Sequence, residues 1–164
     1  MALEQAIITW IHLVSSAIWV GGSLFIAIVF APVLKTMSPS IEERLSIMIK
    51  VGRKFNRIAF PSLIILIGTG IFNSYQILNK PEFLFSTNYG VVLVIKIIFV
   101  IALLVSFVIH VRIIRRDIEQ KIIKKQLSEV QITQLRKKII VVGQLTVGLS
   151  IAILFLAALL DTGI

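Results

Sequence analysis

The stretch that decides the fold is residues 9–32, TWIHLVSSAIWVGGSLFIAIVFAP, an apolar run without a single Asp, Glu, Lys or Arg. A helix that spans a bilayer needs about 20 such residues, so this run is long enough to cross a membrane. Three further apolar runs follow it along the chain. The sequence therefore predicts four membrane spans, at about residues 6–33, 58–78, 89–111 and 139–160.

The composition supports a membrane protein. Of the 164 residues, 57% are hydrophobic and only 15% are charged, whereas soluble domains carry about 25% charged residues. We expect an all-α integral membrane four-helix bundle formed by residues 1–164 as a single domain. The chain has no Cys, which excludes disulfides, thiolate metal sites, iron–sulfur clusters and covalent haem attachment.

The basic residues are distributed unevenly between the connections. Residues 34–57 contain six Lys and Arg, residues 112–138 contain nine, the connection between spans two and three contains only Lys80, and the two tails contain none. The positive-inside rule places the two basic connections in the cytoplasm and both termini outside the plasma membrane. The net charge of +9 then indicates contact with the bilayer and with anionic lipid headgroups at the cytoplasmic face, and not with nucleic acid.

The connections carry their own helix signals. Ser40 and Glu43 form an S-x-x-E pattern, which predicts a capped helix that continues into the second span. Pro81 is expected to stop any helix between spans two and three. The charged residues 112–138 have hydrophobic residues at helical intervals, so the third helix is expected to continue into water and turn near Ser128. This basic hairpin is either a solvated surface or a docking site for another protein.

The first span carries a stripe of small, polar and aromatic side chains where a lipid-facing stripe would be aliphatic. Its members follow steps of three and four residues and are His12, Ser15, Ser16, Trp19, Gly22 and Ser23. Such a stripe is expected to face other helices. The imidazole of His12 is the candidate for chemistry, and the alternative is a buried histidine that a neighbouring Ser or a backbone carbonyl satisfies.

The third span carries a second stripe, at seven-residue intervals, formed by Tyr89, Lys96, Leu103 and His110. A lysine inside a span is costly and marks function by default, although a lysine near the outer interface can also snorkel to the headgroups. Lys96 is expected at the same depth as His12, where it would pair with an anion, balance a quinone or carry a proton.

His110 is expected at a different level of the membrane from His12. It lies fourteen residues beyond Lys96, which is about 21 Å along a helix. A metal–imidazole bond is about 2 Å long, so the two histidines belong to different sites. Near the cytoplasmic face His110 is expected to meet Gln144, Arg57 and Asn56, or to be a simple interfacial histidine.

Several short motifs together show a family resemblance. They are an H-x6-W-x-G-G pattern before an apolar run that ends in A-P (His12, Trp19, Gly21, Gly22, Ala31, Pro32), a T-G pair (Thr69, Gly70) and a Y-G-x5-K pattern (Tyr89, Gly90, Lys96). The combination resembles the copper resistance protein D (CopD) family. The layout is also similar to the HemJ family of membrane protoporphyrinogen oxidases, whose resemblance implies bound haem b and a functional pair formed by His12 and Lys96.

The leading interpretation is a membrane-embedded haem b-binding redox protein, either an electron carrier or oxidase-like. His12 would be an axial metal ligand, and Trp19 would pack against the macrocycle. Lys96 would stabilise a propionate or serve as the other ligand or as a proton donor. The remaining cofactor-binding candidates are Ser16, Gly22, Tyr89 and His110. A homodimer or a membrane redox partner would complete this function.

Two alternatives remain open. One is a transport protein for copper or another small cation, as the CopD resemblance implies. Copper sites in membranes use Met, Cys or His clusters, and Met1, Met37 and Met48 are all expected outside the spans. The other alternative is a non-catalytic accessory subunit of a membrane complex, in which His12 is structural.

Overall fold

The computed structural model describes residues 2–38 and 40–163, and these residues are helical with no strand among them. The helices are α1 (residues 2–37), α2 (Ile41–Leu78), α3 (Pro81–Ser86), α4 (Asn88–Ile113), α5 (Arg116–Ile123) and α6 (Glu129–Asp161). Four helical stretches are long and apolar enough to cross a membrane: Leu3–Met37, Ile41–Tyr75, Asn88–Ile123 and Glu129–Asp161. The expected all-α, four-span plasma-membrane protein is confirmed.

Helix α1 is continuous but changes its winding twice. It is α-helical over Ala2–Ser16, and it widens into π-helical turns at Ala17–Gly21 and Phe25–Phe30. Turns of this kind are uncommon and often lie at functional sites. They shift which side chains share a face, and the first of them contains Trp19, which is buried in the centre of the bundle.

Helix α2 joins the first basic connection to the second span, as the sequence predicts. The Ser40 hydroxyl accepts a hydrogen bond from the Glu43 amide at 3.3 Å, so half of the predicted capping box is present. The other half is absent because the Glu43 carboxylate accepts instead from the Ser38 hydroxyl at 2.6 Å. From this cap the helix runs without a break to Leu78, with Pro61 inside it.

The connection between spans two and three is helical, contrary to the expectation for Pro81. Proline has no amide hydrogen, but the amide hydrogens of a first helical turn are not used within the helix. Pro81 therefore begins α3 instead of preventing it. Helix α3 then lies close against the start of α4. A Cβ on Gly90 would overlap the Phe83 carbonyl oxygen and lie 2.6 Å from Cα of Leu84, so glycine is required for this approach.

The second basic connection also differs from the expectation. The third helix does not continue into water but ends at Ile113, and α5 is a separate amphipathic helix. The reason is packing: Ile114 and Ile122 are buried in a cluster with α2 and α6, and Arg53 of α2 forms an ion pair with Glu119 of α5. Helix α6 begins after Ser128, near the predicted turn, with a complete Ser128–Gln131 capping box.

Two apolar clusters hold the bundle together. The membrane-level cluster contains Trp19, Val20, Ala59, Leu63, Leu103 and Phe107. The cytoplasmic-end cluster contains Leu45, Ile49, Ile114, Ile122, Ile132 and Ile139. Helix α4 packs most extensively on α6, and α1 packs on α2. Outward-facing side chains such as Phe25 and Phe155 remain exposed on the surface that contacts lipid.

The close approach at Gly90 yields a stability prediction. Gly90→Ala is expected to destabilise the protein by about 1–3 kcal/mol, because backbone of α3 must move to accommodate the methyl group. Thermal unfolding of the detergent-solubilised protein measures this change. Gly148→Ala is the matched control, since a Cβ there meets nothing within 4 Å. Equal unfolding temperatures for the two variants would contradict the packing described.

Candidate functional site

His12 is held by a threonine of the second span. Its Nδ1 lies 2.7 Å from Oγ1 of Thr69, and the Thr69 hydroxyl lies 2.7 Å from the Ile65 carbonyl oxygen. The single hydroxyl proton donates to that carbonyl, as is usual for threonine inside a helix. The hydroxyl oxygen therefore accepts from Nδ1–H of His12. In the neutral imidazole this arrangement leaves the lone pair on Nε2, the pattern that histidine ligands of metals commonly show.

Lys96 lies near His12, as their expected depths imply. The two side chains are close enough for their charges to interact, and both are half-buried. Within the described residues Lys96 forms no hydrogen bond or ion pair. Asn73, one turn beyond Thr69, serves a different partner, because it accepts a hydrogen bond from Gln5 at 3.1 Å. The outer site thus consists of His12, Thr69 and Lys96.

Trp19 is a central anchor of the bundle. Its Nε1 donates to the Ser150 hydroxyl at 3.0 Å, and its ring meets the Phe107 ring edge-on at a centroid distance of 5.1 Å. Ser150 in turn donates to the Thr146 carbonyl at 2.8 Å. The indole is therefore held by a hydrogen bond from its Nε1 and by an aromatic contact with Phe107. Trp19 also lines a cavity.

The remaining candidates of the first and third spans are less engaged. Gly22 is close to the Phe55 ring, which a Cβ at this position would overlap. Ser16 and Tyr89 are half-buried, and neither side chain forms a hydrogen bond within the part of the chain that the structure describes.

His110 lies at a different level and lines a partly open cavity of about 200 Å³ between α1, α2, α4 and α6. Most of its wall is apolar, and its polar or sulfur-bearing members are Ser23, Met48, Asn56, His110, Gln144 and Thr146. The Nδ1 atom of His110 is buried and has no hydrogen-bond partner among the described residues. An unpaired buried nitrogen is uncommon in folded proteins, which makes His110 a candidate for a ligand-binding role.

The second candidate metal ligand of this cavity was not expected from the sequence. Met48 was expected outside the spans, but it lines the same cavity as His110. The reason is that α2 carries its amphipathic face into the bundle without a break, so residues four apart on that face, Met48, Gly52 and Asn56, all reach the cavity. Of the expected neighbours of His110, Asn56 and Gln144 are present, while Arg57 lines an adjacent cavity.

The two histidines therefore mark two sites, as their predicted depths require. Within residues 2–38 and 40–163 no group of three or more His, Cys, Asp and Glu is placed to hold a metal ion. Each site offers one imidazole nitrogen. Met48 lies in the wall of the cavity that His110 lines, and thioether sulfur binds soft metal ions, so this cavity is the better candidate for such an ion.

The His12–Thr69 hydrogen bond yields a spectroscopic prediction. Nitrogen-15 shifts of labelled histidine are expected to show His12 as the Nδ1–H tautomer, with His110→Asn used for assignment. Thr69→Val removes the acceptor, so the tautomer is expected to shift toward Nε2–H. Thr146→Val is the control, because Thr146 bonds Ser106 and not His12. An unchanged tautomer in Thr69→Val would contradict the assigned direction of this bond.

Comparison with known proteins adds the last observation. The sequence model of a family described as "Copper resistance protein D" matches residues 49–160, which cover most of α2, all of α3 to α5 and all but the last residue of α6. An uncharacterized protein of Aquifex aeolicus (strain VF5) is 33% identical over 99 residues, covering 60% of this chain and 67% of that protein. No solved structure shows a significant match.

Proposed function

The chain belongs to the copper resistance protein D family, and from that premise we propose that it binds copper ions in the membrane as part of their transport. The inner cavity is the proposed binding site. The observation that carries this proposal is that His110, whose buried Nδ1 has no hydrogen-bond partner among the described residues, and Met48 line the same cavity. Copper is here the substrate and not a resident cofactor.

The donor set favours the cuprous ion. Thioether sulfur is a soft ligand that selects Cu(I), and imidazole nitrogen is a good ligand for copper. Met48 and His110 supply one donor of each kind, and Asn56 and Gln144 add amide groups to the same wall. The apolar remainder of the wall limits water around a bound ion, which strengthens its interaction with the donors.

The copper proposal replaces the leading interpretation from the sequence. That interpretation put haem b on His12, whereas the family supports the copper alternative. The main objection to copper was the lack of ligands inside the spans. Met48 lines the His110 cavity, so one soft donor residue inside the bundle supports the copper proposal.

A metal-binding experiment tests the proposal. Purified protein is titrated with Cu(I) against a chromophoric chelator under reducing conditions. His110→Ala is expected to abolish tight binding, and Met48→Leu, which keeps the volume but removes the sulfur, is expected to weaken it about tenfold or more. Met37→Leu is the matched control, because Met37 is exposed and lies outside the cavity. Wild-type affinity in His110→Ala would refute the inner site.

A haem b redox protein is the second candidate, and one observation favours it. The Thr69 hydrogen bond leaves Nε2 of His12 available as an axial ligand, and Lys96 lies close enough to attract a propionate. Gly70 lies beside the imidazole, and a Cβ there would make an ordinary contact of 3.6 Å with Cε1 of His12. Haem would supply one-electron redox chemistry at this level.

Absorption spectra separate the two candidates. If copper is the substrate, the purified protein is expected to show no Soret band before or after dithionite reduction, and none after haem is offered. A near-stoichiometric Soret band that disappears in His12→Ala would instead select the haem function. A protein that binds neither copper nor haem would point to the third alternative, an accessory subunit of a membrane complex.

A further inference from the structure

A second cavity, of about 630 Å³ and largely open to the surface, lies next to the His110 cavity at the cytoplasmic end of the bundle. The two cavities share Asn56 and Ile114 in their walls. The polar residues that line the second cavity are Arg53, Asn56, Arg57, Arg115, Arg116 and Asp117. Arg53, Asn56 and Arg57 come from α2 and lie three and four residues apart on one helical face. Arg115, Arg116 and Asp117 surround the start of α5.

The charges in this cavity do not cancel. Arg53 forms an ion pair with Glu119, and Nε of Arg115 lies 3.4 Å from the Asp117 carboxylate in an exposed pair. Arg57 and Arg116 have no ion-pair partner among the described residues. Four guanidinium groups thus face two carboxylates, which leaves a surplus of two positive charges around one cavity.

One nitrogen of the Arg53 guanidinium group lacks a hydrogen-bond acceptor. Nη1 of Arg53 is buried and makes no hydrogen bond within the described residues, while Nη2 of the same group is held by Glu119. A buried charged donor without an acceptor costs more than a neutral one. Because Arg53 belongs to the cavity wall, its charge adds to the positive potential there.

The start of α5 adds to the positive electrostatic potential of this cavity. Arg115 is its N-cap and provides no side-chain cap, so the first amide groups of the helix keep free hydrogens. The amide groups and the helix dipole favour an anion at this end. The observations from α2 and from α5 therefore agree on the sign of the ligand, although they come from separate elements.

We propose that this cavity binds a phosphate group. Planar guanidinium groups match phosphate oxygens in pairs, and arginine is the residue that proteins favour for such contacts. The positive-inside rule puts the cavity at the cytoplasmic face, at the level of anionic lipid headgroups. The phosphate belongs either to such a headgroup or to a free ion. This proposal does not depend on whether the inner cavity binds copper.

Native mass spectrometry and calorimetry on the detergent-solubilised full chain test the site. Phosphatidylglycerol and phosphatidylcholine are offered at equal concentrations, and inorganic phosphate is titrated separately. Arg57→Gln/Arg116→Gln removes two lining charges without touching the Arg53–Glu119 pair. Arg112→Gln/Arg136→Gln is the control, since it loses the same charge from cytoplasmic positions outside the cavity.

The expected result is a preference for phosphatidylglycerol over phosphatidylcholine that falls about tenfold or more in the lining variant and is kept in the control. Binding of inorganic phosphate with the same pattern would identify a free anion as the source and would equally support the site. No phosphatidylglycerol preference and no phosphate binding in the wild type, or an equal loss in both double variants, would overturn the proposal. Those outcomes would leave the arginines with a role in topology alone.

Discussion

A polar group inside the hydrocarbon layer must find its partner within the protein, and this requirement governs the structure. Helices satisfy the backbone, and paired side chains satisfy most of the interior. Trp19 bonds Ser150, Ser106 bonds Thr146 at 2.8 Å, and His12 bonds Thr69. Against this background the unpartnered Nδ1 of His110 is an exception. His110 lines a cavity that Met48 also lines, so this exception lies beside a candidate ligand site.

The bundle separates three chemical environments along its length. The outer level holds His12 and Lys96, the inner level holds the cavity of His110 and Met48, and the cytoplasmic end holds the arginine-lined cavity. Shared wall residues connect the last two. Helix α5 makes this arrangement possible, because it folds back onto α2 and carries Arg116 and Asp117 to the cavity. A helix extended into water would have left that end open.

The spans and their order were predictable because hydropathy and helix length report directly on the bilayer. The separate levels of His12 and His110 were predictable too, since a fixed rise per residue converts spacing into depth. The hydrogen-bond partner of His12 was not predictable, because Thr69 and Asn73 lie one turn apart on the same helix. Only the packing of the helices decides which of them His12 meets. Met48 was missed because its residue number placed it in a connection. The end of α4 at Ile113 depends on burial of Ile114 and Ile122, which are distant in sequence from their partners.

The central claim is that His110 and Met48 share one copper ion. X-ray absorption spectroscopy at the copper edge, on the Cu(I)-loaded protein, tests this most directly because it identifies the atoms bound to the metal. The account predicts a first shell that contains both an imidazole nitrogen and a sulfur, with the sulfur lost in Met48→Leu. A shell of nitrogen and oxygen alone in the wild type would contradict the claim.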